Sequence, residues 1–288
     1  MPRLRFVIRA ARKFIPGEGV EDAVREAGSL GEQGISTIIT FLGENVSDQA
    51  EVEAVARNYL DTLNLIARND LDCHISIKLT QLGLDFDRGI CFLTADRIVN
   101  HAADHGNFVW IDMESSEYTD VTIDIFKRLK EKYSNLGICL QAYLYRTDDD
   151  LAELMEIGSV IRLVKGAYRE SGEIAYPKKK DVDENFFALA SKLLKSTKSA
   201  ELVHSMATHD PVLLDRIDEV ARDMPPSHSG YEIQILYGIN VEQRGKWVKE
   251  GKKVRVLISY GEAWYPWYVR RLAERPANVW FVIRNLFK

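Results

Sequence analysis

The sequence predicts an α/β fold, a closed (β/α)8 barrel of the TIM type with an N-terminal helix before the first strand. Eight short runs rich in β-branched residues recur along the chain, and segments with helical periodicity separate them. Strands that alternate with helix-length segments indicate βαβ units and a parallel sheet. Eight such units close a barrel, which commonly takes about 250 residues. No linker or low-complexity stretch divides the 288 residues, so we assign residues 1–288 to a single domain.

The predicted strands are the eight β-branched runs. They occupy residues 36–43, 74–80, 108–114, 137–143, 160–168, 201–209, 231–238 and 253–261. A doubly wound open sheet is the alternative architecture, but it usually has fewer strands and a glycine-rich turn after the first one. The first run here ends in Leu42-Gly43-Glu44-Asn45, which does not match that turn.

Signals for helix starts fall between the runs. Thr147, with three aspartates after it, predicts an N-cap and an acidic first turn. Asp210 and Pro211 predict an N-cap followed by proline at the first helical position. Asn240 predicts the start of another helix, and Pro266 predicts the start of the last one.

Composition and charge exclude several classes of protein. The net charge of −5 and the pI of about 5.8 argue against nucleic acid as the main partner, because phosphate binding needs a basic face. Three cysteines without a CxxC pair fit a reducing compartment. No apolar run approaches the ~20 residues that cross a bilayer. We therefore expect a cytoplasmic protein, and a peripheral contact with the inner face of the membrane stays open.

The first 17 residues carry five cations and no acid. This composition fits either a transit peptide or an amphipathic helix before the first strand. The segment lacks the serine content of transit peptides, which favours the helix.

Alternation along the predicted strands assigns one polar face to the barrel interior. In the second run Ile75 and Ile77 share one face, and Ser76 and Lys78 share the other. The polar residues assigned to the interior in this way are Lys78, Asp112, Gln141, Arg162, Glu232 and Gln234. Because barrel interiors are usually apolar, such groups need partners. They form either a space-filling salt-bridge network or a ligand site near the C-terminal mouth, and we favour the site because barrel active sites lie there.

Cations gather at or just after the predicted strand ends. They are Lys78, Arg162, Lys165, Lys179, Lys180, Arg270 and Arg271. Two groups of cations suit a phosphate-bearing cofactor and a carboxylate, although the adjacent lysine and arginine pairs also fit solvated helix faces. The Rossmann, P-loop and HExxH motifs are absent, and we expect no metal site.

Seven motifs carry a family resemblance. They are SIKLTQLGLD (76–85), DME (112–114), QAYLYRT (141–147), RLVKGAYRE (162–170), ATHDP (207–211), YEIQILYG (231–238) and WYPWYVRRLAERPANV (264–279). Because these motifs occur in this order along the chain, the sequence resembles the monofunctional bacterial proline dehydrogenases. It resembles more distantly the proline dehydrogenase domain of bifunctional proline-utilisation flavoenzymes. The resemblance covers roughly residues 10–288.

The resemblance implies a flavoprotein oxidoreductase of proline catabolism that holds FAD noncovalently. L-proline would be oxidised to 1-pyrroline-5-carboxylate by hydride transfer to flavin N5, and the electrons would pass to a quinone-type acceptor. A cofactor is needed because no side chain accepts a hydride.

By the same analogy, three overlapping sets of residues form the site. The catalytic set is Lys78, Asp112, Arg162, Tyr168, Arg270 and Arg271. The substrate contacts are Lys78, Tyr168, Leu236, Leu257, Trp267, Arg270 and Arg271. The cofactor contacts are Gln141, Arg162, Val164, Lys165, Gly166, Ala167, Lys179, Lys180, Thr208, His209 and Glu274.

Two positions depart from the family pattern. Leu257 stands where relatives usually have tyrosine, and Trp267 stands where they tend to have tyrosine. The substrate could therefore be hydroxyproline or another substituted cyclic amino acid. A catalytically silent flavin-binding or regulatory protein is a further alternative. The presence of four predicted catalytic residues argues against it: Lys78, Asp112, Arg270 and Arg271. A phosphosugar barrel enzyme without redox chemistry also stays open.

Overall fold

Eight parallel strands form a closed barrel in a computed structural model, which describes residues 14–43, 46, 48–196, 203–225 and 230–261. The strands follow one another around the barrel in chain order, and the eighth pairs with the first. The predicted (β/α)8 architecture is therefore confirmed. The strands are β1 (Ser36–Phe41), β2 (Cys73–Ile77), β3 (Val109–Ile111), β4 (Leu136–Gln141), β5 (Val160–Val164), β6 (His204–Ala207), β7 (Tyr231–Leu236) and β8 (Lys253–Tyr260).

Among the described residues, a helix follows each of the first seven strands, and one more precedes β1. They are α1 (Val20–Gly31), α2 (Gln49–Arg68), α3 (Arg88–Asp104), α4 (Thr119–Lys130), α5 (Thr147–Glu156), α6 (Lys179–Ser196), α7 (Pro211–Arg222) and α8 (Val241–Lys249). A helix does precede the first strand, but it is α1, which begins at Val20. The helix predicted in the basic first 17 residues stays a prediction, because residues 1–13 lie outside the described residues. Within the described ranges, no helix has both the length and the apolar character needed to cross a membrane.

Aspartate caps fix the start of several helices. Asp48 accepts hydrogen bonds from two backbone amides at the start of α2, at 2.8 and 2.9 Å. Asp210 accepts from Leu213 N at 3.4 Å and caps α7 as predicted. The predicted cap at Thr147 is wrong, because Thr147 is already helical and its hydroxyl donates to Gln141 O at 2.5 Å. That bond ties α5 to the end of β4.

Every observed strand ends before the C-terminal end of its predicted run. The run 160–168, for example, is a strand only as far as Val164. Gly166 has a φ of 108°, outside the strand region, so the chain turns away from the barrel wall there. The polar residues at the ends of the runs therefore belong to the loops of the C-terminal mouth.

Two apolar regions pack on opposite faces of the sheet. The main core lies between the strands and the helices and includes Ile75 and Ile77, as the alternation predicts. A smaller cluster consists of Ile38, Trp110 and Val160, with Phe108 and Leu257 packed against it. These residues come from β1, β3, β5 and β8, or from just before β3, so they meet inside the barrel. We call this group the interior cluster.

Candidate active site

An ion-pair cluster joins β2, β3 and β5 inside the barrel. Asp112, just after β3, accepts from Ser76 Oγ at 2.7 Å and lies 3.2 Å from Lys78 Nζ. Arg162 pairs with Asp112 and donates to Ser76 Oγ at 3.0 Å. Lys78 and Arg162 are buried, whereas the Asp112 side chain is 18% exposed, so a ligand can reach it. The structure thus brings three predicted catalytic residues together.

The charges around Asp112 keep it ionised. Burial acts to raise the pKa of Asp112, but the charges of Arg162 and Lys78 outweigh burial and hold that pKa below its ordinary value. Two cations against one carboxylate leave the cluster with a net positive charge. An anionic group of a ligand is therefore attracted to it.

Trp110 lies beneath this cluster, two residues earlier on β3. Its ring centroid is 5.1 Å from Arg162 Cζ, within the range of a cation–π contact. The indole Nε1 donates to His74 Nδ1 at 3.3 Å. Burial lowers the pKa of His74 to about 3, so that ring is neutral and can accept. A Cβ atom at Gly137 would come within 2.6 Å of the indole, so that residue has to be glycine.

A second polar network fills the interior beside β6, β7 and β8. Arg255 Nε donates to Glu232 Oε2 at 2.9 Å, and Gln234 Nε2 donates to Glu232 Oε1 at 2.8 Å. Gln234 also bonds Ser205 Oγ at 2.9 Å, and Arg255 bonds Asp72 at 3.0 Å. Glu232 and Gln234 occupy the interior as expected. For this pair the space-filling network is the better interpretation, because the Glu232 carboxylate is already paired with Arg255 and bonded by Gln234, although Gln234 Oε1 has no partner among the described residues.

Two predicted cofactor residues carry buried polar atoms that have no hydrogen-bond partner among the described residues, Gln141 Oε1 and His209 Nδ1. Gln141 ends β4 and donates to Met113 O at 3.5 Å. His209 follows the buried Thr208 after β6; burial lowers its pKa to about 4, and the charge of Lys165 acts in the same direction. Because unpaired buried polar atoms are costly, both atoms are suited to hydrogen bonds with a bound molecule.

Two of the three lysines predicted to contact the cofactor, Lys165 and Lys179, have carboxylate partners. Lys165 Nζ lies 2.5 Å from Asp183 Oδ1 and 3.0 Å from Asp210 Oδ2. Lys179 pairs with the same two aspartates, at 3.6 Å from Asp210. Lys180 is exposed on the first turn of α6. The charges of Lys165 and Lys179 are thus partly neutralised, and phosphate binding by these lysines stays a prediction.

The segment 165–170 after β5 is held by its neighbours. The Tyr143 ring occupies the space where a Cβ at Gly166 would lie. Glu170 accepts from Ser116 N at 2.8 Å, from Ser116 Oγ at 2.7 Å and from Tyr143 OH at 3.3 Å. These contacts join the loops after β3, β4 and β5, and they fix the segment that carries Tyr168.

The other predicted site residues divide into two groups. Those that the structure leaves half-buried are Val164, Ala167, Tyr168, Leu236 and Leu257. Leu257 aligns with Leu236 and Ile38 on the neighbouring strands and packs against the interior cluster. The positions outside the described residues are Trp267, Arg270, Arg271 and Glu274.

Sequence reasoning missed several supporting residues. Glu114 accepts from Thr80 N at 3.1 Å and from Thr80 Oγ1 at 2.6 Å, and burial raises its pKa. Strand alternation could have identified Ser76 and Thr80, because both share the polar face of their predicted strand with Lys78. Trp110 alternates with Asp112, which places it inside, but nothing in the sequence indicates that it meets Arg162.

A closed (β/α)8 barrel with a charged cluster at its C-terminal mouth defines the chain as a barrel enzyme of the TIM type. The family profile described as Proline dehydrogenase matches residues 23–284. The chain belongs to the proline dehydrogenase family.

Two relatives and one solved structure show the extent of the likeness. "Proline dehydrogenase 2" of Bacillus subtilis (strain 168) is 37% identical over 279 residues, which cover 97% of this chain and 91% of the relative. "Proline dehydrogenase" of Deinococcus radiodurans is 32% identical over 96% of this chain and 90% of its own length. Proline utilization A (PutA) from Bdellovibrio bacteriovorus superposes with a TM-score of 0.84 at 23% identity. That match covers 92% of this chain and 32% of the larger protein, and it supports the fold.

Proposed function

We propose that this chain is an FAD-dependent proline dehydrogenase that oxidises L-proline to 1-pyrroline-5-carboxylate. The observation that carries the proposal is the cluster of Lys78, Asp112 and Arg162 at the barrel mouth of a chain in this family. The excess positive charge of the cluster suits the carboxylate of an amino acid. Lys78 would bind that carboxylate, together with Arg270 and Arg271 from outside the described residues.

The polar atoms of the mouth fit a flavin. The isoalloxazine edge alternates hydrogen-bond donors and acceptors, and Gln141 Oε1 and His209 Nδ1 are buried without a partner among the described residues. Gln141 and Arg162 would face the ring, and Thr208 and His209 the remainder of the cofactor. The other residues proposed to hold FAD are Val164, Lys165, Gly166, Ala167, Lys179, Lys180 and Glu274. Bound FAD would supply the acceptor for the hydride that leaves proline C5, since no side chain can accept one.

The residues of the chain contribute mainly positioning and electrostatics. Asp112 holds Lys78 and Arg162 in fixed positions through its two oxygens. Tyr168 and Leu236 would flank the substrate ring, and the proline nitrogen releases its proton as the imine forms. Holding the substrate in a reactive geometry provides a large share of the rate enhancement in such sites.

The proposal is tested with the purified protein. Denaturation should release a yellow cofactor that separates from the chain and is identified as FAD. Anaerobic titration of the native protein with L-proline should bleach the flavin absorbance. Flavin that stays attached to the denatured chain, or FMN in place of FAD, contradicts the proposed cofactor. A flavin that L-proline does not reduce contradicts the proposed reaction and favours a silent flavin-binding protein.

The electron acceptor is proposed to be a quinone, reached by peripheral contact with a membrane. Reduced flavin must pass its electrons on, and family membership supports a quinone-type acceptor. A soluble quinone should reoxidise the proline-reduced protein faster than dissolved oxygen does. Flotation with phospholipid vesicles tests membrane contact, and protein that stays at the bottom of the gradient under all conditions contradicts it.

The apolar side chain of Leu257 favours one alternative substrate. It is apolar and packs in the interior, and apolar pockets discriminate weakly against an added hydroxyl group. Trans-4-hydroxy-L-proline is therefore the second candidate. The ratio of kcat/KM for L-proline to that for the hydroxylated ring decides between the two.

A further inference from the structure

We propose that Trp110 is a positioning residue for Arg162 and that its indole shares the limited interior volume of the barrel with Leu257. The effect on the reaction rests on the proposed function. The packing relation between positions 110 and 257 can be tested without any activity.

The indole of Trp110 is held on three sides. Its Nε1 donates to His74 Nδ1, the Phe108 ring centroid lies 5.1 Å away, and Gly137 leaves room for the six-membered ring. Only 2% of Trp110 is exposed. An aromatic ring with so little freedom presents a fixed face to Arg162, whose Cζ lies 5.1 Å from the ring centroid.

Arg162 needs this face for its orientation. Ser76 and Asp112 accept from one terminal nitrogen, Nη2, and the Cys139 side chain also bonds the guanidinium, so these bonds limit the rotation of its plane only in part. Contact with the Trp110 ring restricts that rotation, because a guanidinium stacks on aromatic faces. Trp110 therefore acts on the site through Arg162 and does not itself touch the reacting atoms.

The volume argument concerns the interior cluster. Its residues come from four strands and converge on the barrel axis, where packing is dense and space is limited. Leu257 packs against the same cluster as Trp110 and aligns with Ile38. A larger ring at position 257 would compete with the indole for this space, so a small side chain at 257 and a large one at 110 compensate each other.

The experiment is a double-mutant cycle of Trp110→Leu and Leu257→Phe in the full chain. The control is Trp247→Leu, because Trp247 is an equally buried tryptophan on α8 and belongs to the main core. The measurements are Tm, the flavin absorption spectrum, and kcat and KM for L-proline per bound flavin.

We expect Trp110→Leu to lower kcat on the order of tenfold, to change KM less and to shift the flavin spectrum. Leu257→Phe should lower Tm in the parent, because added volume strains a packed interior, and should raise Tm in the Trp110→Leu background. Trp247→Leu should lower Tm and leave kcat and the spectrum unchanged.

Two results would overturn the inference. One is a Trp110→Leu variant that matches Trp247→Leu in kcat and in spectrum. The other is a Leu257→Phe change that lowers Tm equally in both backgrounds. If Trp110→Leu does not fold, Trp110→Phe completes the same cycle. If the parent itself leaves L-proline unoxidised, the proposed function fails, while the Tm cycle and the spectrum still decide on Trp110.

Discussion

The carboxylate of Asp112 is the point where side chains from β2 and β5 meet. Ser76 and Lys78 reach it from one side and Arg162 from the other. Because the pKa of Asp112 is lowered in the folded chain, its stabilising contribution is present above its unfolded pKa of 3.8 and is lost as the pH falls through the lower folded value. The Asp112 carboxylate is therefore ionised at neutral pH and can pair with Lys78 and Arg162.

Arg162→Lys should impair the reaction more than the stability. Lysine keeps the charge but loses the planar fork that meets Asp112, Ser76 and Trp110. A lost charge-assisted bond is worth about 1.5–3 kcal/mol, roughly ten- to hundredfold in kcat/KM for L-proline. Arg255→Lys is the control, since Arg255 is equally buried but belongs to the second network. Equal losses of kcat/KM in both variants would contradict the assigned role of Arg162.

The stability of the Glu114→Gln variant, relative to that of the parent protein, should increase as the pH rises. Burial raises the pKa of Glu114 above 4.5, although Thr80 and Lys78 act in the opposite direction. A carboxyl with a raised folded pKa contributes stability that is present below its unfolded pKa and is lost as the pH rises through the folded value. Glutamine stays neutral, so the Tm of the variant minus the Tm of the parent should increase from pH 4.5 upward. A difference that does not change with pH would show that Glu114 ionises without cost.

At the scale of elements, the loops of the mouth are as constrained as the strands. The antiparallel bridge between Leu144 and Ala175 and the bonds of Glu170 connect the loops after β4 and β5. A binding site built on such loops is already shaped before a ligand arrives. This reduces the conformational entropy lost on binding.

Gly166→Ala tests this constraint directly. Its φ of 108° and the Tyr143 ring leave no room for a methyl group, so we expect a loss of roughly 1–3 kcal/mol in unfolding free energy and a lower flavin content. Gly172→Ala is the matched control, because it lies in the same loop and no atom would approach its added Cβ within 4 Å. Similar Tm values and flavin-to-protein absorbance ratios in the two variants would contradict the prediction.

The strands could be predicted from the sequence, and their ends could not. The runs rich in β-branched residues identified all eight, because each strand buries one face under helices and favours such residues. The C-terminal ends depend on contacts between distant loops, such as the Tyr143 ring beside Gly166, which no local pattern encodes. The same reason explains Thr147, whose hydroxyl bonds a carbonyl of β4 and not the start of its own helix.

At the scale of the whole molecule, the buried His204 and the half-buried His74 and His209 make the fold sensitive to acid. Burial lowers the pKa of His74 to about 3 and those of His204 and His209 to about 4, against 6.5 when unfolded. A base with a lowered folded pKa contributes stability that is present above its unfolded pKa and is lost as the pH falls.

Stability should therefore decrease as the pH falls from 6.5 to 4, by up to about 1.4 kcal/mol per pH unit for each histidine. Calorimetry in buffers of different ionisation enthalpy should show proton uptake on unfolding. His204→Asn keeps an acceptor for Ile161 N, which now bonds His204 at 3.2 Å, and should reduce that uptake. The exposed His105→Gln is the control. The interpretation fails if both variants take up as many protons as the parent.

The candidate site was predictable as far as each residue could be placed on a strand face. Lys78, Asp112 and Arg162 were assigned to the interior by alternation, and they meet there. The partners of Lys165 were not predictable, because Asp183 and Asp210 reach it from two different helix starts. Pairings of that kind depend on how the barrel closes.

Closure of the barrel also depends on the order in which the strands are synthesised. The register of β1 with β8 runs from Ser36 opposite Arg255 to Phe41 opposite Tyr260. One edge of β1 therefore stays unpaired until β8 has been synthesised. Contacts so distant in sequence form slowly, because the ends of a long loop must meet. A nascent chain that stops before Lys253 leaves the hydrogen-bonding edges of β1 and β7 open, and open parallel edges invite pairing with other chains. Until β8 has been made, the barrel cannot close and both of these edges stay exposed.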